Sequence, residues 1–171
     1  MQDAITQILN KYDITGKYLD SLGVEEIEIY FKTAVDRLQV TEIIASNSSK
    51  IVQETANRLY TEQPELLRPG GNSYTTRRYA ICLRDIDYYL RYASYSLIAG
   101  NTDILNERLL DGLRETYISL SVPIGPIIRS IEILKEVVIN EIKNKKINVT
   151  NEQIFIKPFE YISISLSEQN I

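Results

Sequence analysis

The chain has 171 residues, with 19 Lys and Arg against 23 Asp and Glu, a formal charge of −4. That mild acidity, with basic residues scattered apart from Lys143, Lys145 and Lys146, argues against a nucleic-acid binder, which carries a clustered cationic face. The lack of any His removes the commonest general base and metal ligand, and a single Cys excludes Cys₂His₂ and Cys₄ zinc sites and any internal disulfide. No EF-hand spacing or paired acidic motif proposes a carboxylate-only metal site. A lone thiol sets a reducing compartment as the expectation. The start, Met1-Gln2-Asp3-Ala4, has neither a secretory nor a transit pattern, and no apolar run approaches the roughly 18 residues of a membrane span.

Hydrophobic spacing is helical almost throughout. Asp3 is placed to cap a first helix carrying Ala4, Ile5, Ile8, Leu9 and Tyr12, and Gly16 follows its end. A second helical stretch starts near Ser21 or Val24, with Ile27, Phe31, Ala34 and Leu38 as its apolar stripe. Ser48 or Ser49 is expected to open the next helix, which carries Ile51, Val52, Thr55, Ala56 and Leu59. Pro64 and Pro69-Gly70-Gly71-Asn72 then break the chain.

The longest regular segment runs from about Thr75 to Ala99, with Tyr79, Leu83, Ile86, Leu90, Ala93 and Leu97 on its inner face and Gly100 at its C-terminal cap. Short helices are expected around Asp103 to Leu110 and Gly112 to Leu120. Pro126 is suited to the first position of a further helix lined by Ile127, Ile131, Leu134, Val138 and Ile142. Lys143 to Asn151 reads as a polar surface connection. Pro158 starts or breaks the last helix, and Gln169-Asn170-Ile171 frays. The Ile-rich runs at Gln153 to Ile156 and Ile162 to Leu166 carry weak strand signals. The expectation is an all-α, single-domain chain over residues 1–171, with an N-terminal helical hairpin over about 1–33 ahead of some six packed helices.

The long helix carries a second pattern. Arg78, Cys82, Asp85 and Tyr89 recur at i, i+4, i+7 and i+11, which aligns a guanidinium, a thiol, a carboxylate and a phenol along one side. Arg77 and Arg84 flank the row. Such a set suits an extended, partly anionic ligand: the thiol tethers it, Asp85 accepts from its N–H groups, and arginines fork onto its carboxylates. The same residues also read as a small buried thiol, ordinary surface ion pairs and, for the cluster Tyr88, Tyr89, Tyr92 and Tyr95, core packing. Spacing alone leaves both readings open.

The run from Arg68-Pro-Gly-Gly-Asn72 through Cys82-Leu-Arg-Asp85 to Tyr92 strongly resembles the bilin-attachment segment of phycobiliprotein β subunits. Gly112-Leu-Arg-Glu-Thr-Tyr117 and Val122-Pro-Ile-Gly125 are similar to later signatures of that family. Met1-Gln-Asp-Ala-Ile-Thr6 and Gly16-Lys-Tyr-Leu19 are similar to the N-terminus of its allophycocyanin β class. The resemblance spans essentially the whole chain. Phycocyanin and phycoerythrin β subunits carry a further attachment Cys toward the C-terminus, and none stands here. Glu62-Gln-Pro-Glu-Leu-Leu67 and the endings Pro158-Phe-Glu-Tyr161 and Ser167-Glu-Gln-Asn-Ile171 resemble a minor rather than the major β type.

The resemblance implies a globin-like helical domain behind an N-terminal hairpin, light harvesting without catalysis, and one phycocyanobilin joined to Cys82 by a thioether. It implies that Asp85 accepts from the central pyrrole N–H groups, and that Arg84 and Arg78, with Arg77 beside them, contact the propionates. The helical wheel favours Arg78, because Arg84 at i+2 from Cys82 points elsewhere unless the ligand curls. Asn72 matches an asparagine methylated on its side-chain amide (N4-methylasparagine), and Tyr88 and Tyr89 are ring-packing or core residues. The implied partners are an allophycocyanin α subunit or the α-like domain of the core-membrane linker, met through the hairpin, in trimeric and hexameric discs at the thylakoid. An Ile-, Asn- and Lys-rich composition without a transit pattern suggests a plastid-encoded subunit on the stromal side, with a cyanobacterial cytosol second. Two alternatives remain: a bilin-less interaction or regulatory module, and a globin-like sensor binding its ligand without a covalent bond.

Overall fold

The computed structural model describes residues 2–145 and 151–167. Helix α1 spans Ala4–Ile14 and opens on Asp3, whose side chain accepts the Thr6 N–H at 2.7 Å. Helix α2 spans Ser21–Lys32, and Asp20 Oδ1 accepts both the Gly23 N–H at 3.0 Å and the Tyr12 hydroxyl at 2.5 Å. The two helices meet where Gly23 leaves room for the Tyr12 ring, since a Cβ there would lie 2.7 Å from it. They form the expected N-terminal hairpin.

Helix α3 runs without interruption over Ala34–Glu62. The expected start at Ser48 or Ser49 is therefore wrong, and the break lies at Thr33 between α2 and α3. Asn47 and Ser48 satisfy themselves against the helix's own carbonyls, at Ile43 O and Ala45 O, instead of capping a new one. The α2 stripe is corrected as well. Phe31 is 60% and Leu38 58% exposed, while the buried residues across this junction are Gly23, Arg37 and Val40.

A short 3₁₀ turn, Pro64–Leu67, leads through the glycine loop to helix α4, Thr76–Ala99. Both ends of α4 are local in origin. Thr75 Oγ1 accepts the Arg78 N–H at 3.3 Å, and Gly100 closes the helix at φ 72°. A turn of α-helix α5, Asp103–Leu105, passes into a π turn, Asn106–Leu110, and Gly112 at φ 74° admits α6, Leu113–Ser119. Helix α7 spans Ile124–Asn144. It starts earlier than expected, with Pro123 as cap and Pro126 inside the first turn, where a missing N–H costs no helical bond.

Pro158 lies inside α8, Gln153–Ser167, rather than breaking it, and both stretches with strand signals are helical. The connection expected from Lys143 starts later, since Lys143 and Asn144 still belong to α7, and residues 146–150 of it and the fraying expected at 169–171 lie outside the described residues. Helices α3, α4, α7 and α8 pack on one another around Ile51, Leu59, Leu90, Leu134 and Phe159. No strand occurs among the described residues. The body from α3 to α8 is all-α among the described residues, as expected, and a groove opens in it between α4, α6 and the start of α7.

Candidate functional site

The glycine loop determines what reaches that groove. Gly70 sits at φ 90°, and Gly71 passes so close to the 3₁₀ turn that a Cβ would stand 2.4 Å from Leu66 O. Backbone bonds hold it there, from Gly71 N–H to Arg68 O at 2.8 Å and from Ser73 N–H to Leu66 O at 2.9 Å. Asn72 and Ser73 are thereby delivered to the rim and wall of a cleft of about 450 Å³. Its floor is Leu59, Leu66 and Ile86, and its far wall is Leu113, Leu120, Val122 and Ile127. That size lies within the usual range for a bound organic ligand.

Asn72, Arg78, Cys82, Arg84, Asp85, Tyr88 and Tyr89 all line this cleft. Arg77 does not; it is exposed on α4 away from the lining. Arg84, which the helical wheel turns away, bends back instead. Its Nη2 and Nε donate to Asp85 Oδ1 at 3.0 and 3.3 Å. The wheel describes Cβ directions, whereas a long guanidinium stem reaches across one turn. Tyr88 is part exposed on the rim between the guanidinium groups of Arg84 and Arg91, at 5.6 and 5.2 Å from its centroid. Tyr89 is buried at 2% exposure, so it is both core and lining.

Cys82 is a free, partly buried thiol. Burial pushes it up from the usual thiol range, the Tyr60 and Ser73 hydroxyls partly offset that, and the negative charge of Asp85 adds to it. Tyr60 donates to Ser73 Oγ at 3.0 Å in a buried bond. On the opposite side, the Tyr89 and Tyr117 hydroxyls lie 2.5 Å apart, and Tyr117 OH is 3.4 Å from Asp85 Oδ2. Tyr60, Ser73 and Tyr117 are site residues that the spacing argument missed. The Gly112–Tyr117 and Val122–Gly125 segments carried the available signal, for both prove to be cleft wall.

The arrangement fits a long conjugated ligand. An apolar trough flanks its body, a thiol stands ready for a covalent tether, a partly buried carboxylate faces its N–H groups, and arginines at the mouth await anionic arms. No cluster of three or more metal-ligating side chains occurs among the described residues.

Comparison with known proteins shows what the chain is similar to. The family model described as "Phycobilisome protein" matches residues 7–166. The chain is 61% identical to the allophycocyanin subunit beta-18 of Aglaothamnion neglectum and 55% identical to that of Porphyra purpurea, over the full length of both partners. It is 48% identical, again end to end, to the phycobiliprotein beta chain of Mastigocladus laminosus.

Proposed function

The chain belongs to the phycobilisome protein family, and we propose that its cleft holds one phycocyanobilin on Cys82 for light harvesting in a phycobilisome core. It is an allophycocyanin β-type subunit, most like the beta-18 subunits among its relatives. It is not an enzyme. The observation that carries the reading is the meeting of Cys82, Asp85, Arg78 and Arg84 on a single apolar trough.

The bound tetrapyrrole supplies visible absorption and an excited state that passes to a neighbour. The chain's residues determine its state. Cys82 forms the thioether, and its raised proton affinity fits attachment with the help of a separate lyase. The Asp85 carboxylate favours the protonated, cationic pyrroles. Arg78 and the remaining Nη1 group of Arg84, whose Nε and Nη2 stay on Asp85, take the propionates, and Asn72 on its clamped loop presents its amide as the candidate methylation site. The walls from α6 and α7 restrict twisting, so less excitation is lost to torsion.

Assembly follows from the surface. The hairpin and the start of α3 expose Ile14, Leu19, Leu22, Ile29, Phe31 and Leu38, and grouped exposed apolar side chains mark a docking face. This face meets an allophycocyanin α subunit in the trimers and hexamers of the core, or the α-like domain of the core-membrane linker. No helix among the described residues is long and apolar enough to cross a membrane. The subunit works at the thylakoid surface, and we place it on the stromal side in a plastid. Residues 1–171 act as one domain.

The test is a denaturing gel viewed for bilin fluorescence in zinc, with native colour read beside it. The parent chain gives a fluorescent band and Cys82→Ser gives none. A colourless parent supports the bilin-less module, and a native pigment released by denaturation supports the non-covalent sensor.

A further inference from the structure

Behind Asp85 lies a pair of phenols that light harvesting alone gives no task. The Tyr89 and Tyr117 rings are buried, their hydroxyls are 2.5 Å apart, and Tyr117 OH is 3.4 Å from Asp85 Oδ2. Counting protons fixes the direction. Each hydroxyl has one proton, and an ionised carboxylate only accepts. Were Tyr117 to donate to Tyr89, the Tyr89 proton would have no other hydrogen-bond acceptor among the described residues and Oδ2 would face a lone pair. The order Tyr89 to Tyr117 to Asp85 satisfies every proton, and a buried unsatisfied donor is costly. Burial pushes both phenols well up, so both remain donors at neutral pH and above.

The other carboxylate oxygen completes the argument. Arg84 sends both Nε and Nη2 to Oδ1, whereas an arginine fork commonly spreads over both oxygens of a carboxylate. Oδ2 is kept apart from it, on the side of Tyr117. We propose that the Tyr89–Tyr117 hydroxyl pair is a positioning device that holds Oδ2 of Asp85 out of the Arg84 fork, so that its charge stays available to the N–H groups of a cationic bilin. This rests on the bilin reading of the cleft. The charged and titratable groups on the cleft are Arg78, Cys82, Arg84, Tyr88 and Tyr89 beside Asp85 on α4 and Tyr117 from α6. Helix α3 brings Leu59, and α7 brings Pro126, Ile127 and Ser130.

The experiment follows the red absorbance of the pigmented protein through an alkaline titration, with circular dichroism confirming the fold at each point. Tyr117→Phe removes one oxygen and lets the carboxylate turn into the fork. The pigment's proton affinity falls about threefold, the loss of one modest hydrogen bond, and the red band broadens. Tyr89→Phe has a smaller effect in the same direction. Because Tyr89 acts through Tyr117, the double variant matches Tyr117→Phe alone. With Arg84→Gln as background the competitor is gone, and Tyr117→Phe no longer moves the midpoint. An unchanged midpoint in Tyr117→Phe, an additive Tyr89→Phe effect, or a full effect without Arg84 overturns the inference. A parent chain without covalent bilin overturns the bilin reading and this inference together, whereas a pigmented parent with superimposable curves overturns this inference alone.

Discussion

The Arg37 guanidinium lies 4.0 Å from the centroid of the Tyr30 ring, and it gives N–H groups to Leu97 O, Ile98 O and Tyr30 O. Those carbonyls belong to the last turns of α4 and α2. One buried cation therefore serves two helix C-termini, each the negative end of a dipole. The Tyr30 hydroxyl also reaches Ile98 O at 3.1 Å, so this contact joins hairpin to body. Arg37→Met keeps much of the volume and takes a charged donor from all three carbonyls, leaving Ile98 O with the Tyr30 hydroxyl and Tyr30 O with Thr33 Oγ1. The expected cost is about 3 kcal/mol, given that bonds to charged groups contribute more than neutral ones, read from urea midpoints of parent and variant.

Alkaline pH is expected to unfold the chain through its buried phenols. Tyr60, Tyr89 and Tyr117 are all raised above the ordinary phenol value of 10.0, in each case chiefly by burial. A raised folded value means that the native state keeps protons that the unfolded chain releases. The stability is full below pH 10 and is lost as pH climbs past it. Three such groups give a slope approaching about 4 kcal/mol per pH unit. Urea titrations from about pH 9 to about pH 11 measure it, and Tyr89→Phe should flatten the fall. A parent chain equally stable across that range contradicts the assignment.

The exposed stripe predicts a separation between folding and assembly. Phe31→Ser with Leu38→Ser changes residues that are 60% and 58% exposed. The isolated chain should lose less than about 0.5 kcal/mol, as surface changes usually do. Sedimentation velocity with an α-type partner should show the heterodimer weakened severely. Equal loss of both would place the stripe in the body's own packing.

Gly71→Ala tests the loop. The new Cβ would stand 2.4 Å from Leu66 O and 2.5 Å from Glu65 O, and neither main-chain atom yields readily. The loop must shift, carrying Asn72 and Ser73 with it. A loss of about 2 kcal/mol, as for other overpacked sites, should accompany a lower yield of covalent pigment. Normal stability with normal pigment would mean that the loop has slack.

Much of this molecule was legible because its punctuation is local. Asp3, Thr75 and Gly100 each act within a turn of their own position, and the structure places each as a cap. Ser48 misled because a serine either caps a helix or bonds back to it, and the choice rests with the burial of Ile43, Ile44 and Ile51 on either side. The stripe at Phe31 and Leu38 marked an apolar face, but periodicity does not say whether the chain buries that face or leaves it exposed. In the site, the single row on α4 placed Arg78, Cys82, Asp85 and Tyr89 together, since i and i+4 neighbours share a face. Tyr117 meets Asp85 across 32 positions of sequence, a contact that exists only after the π turn and Gly112 have aimed α6.

The unbroken run of α3 has a further consequence. At about 1.5 Å per residue, the 29 residues of α3 make a strut of roughly 43 Å. Leu38 near its start lies on the exposed face, and Tyr60 near its end faces the Cys82 thiol. Excitation transfer falls steeply with the separation between pigments, and that separation is the sum of spacings within and between subunits. Here the spacing within the subunit is measured by consecutive helical hydrogen bonds instead of by a hinge at Ser48. Thermal motion can bow the strut slightly but cannot fold it, so the part of that separation that lies within the subunit is set by the length of one helix.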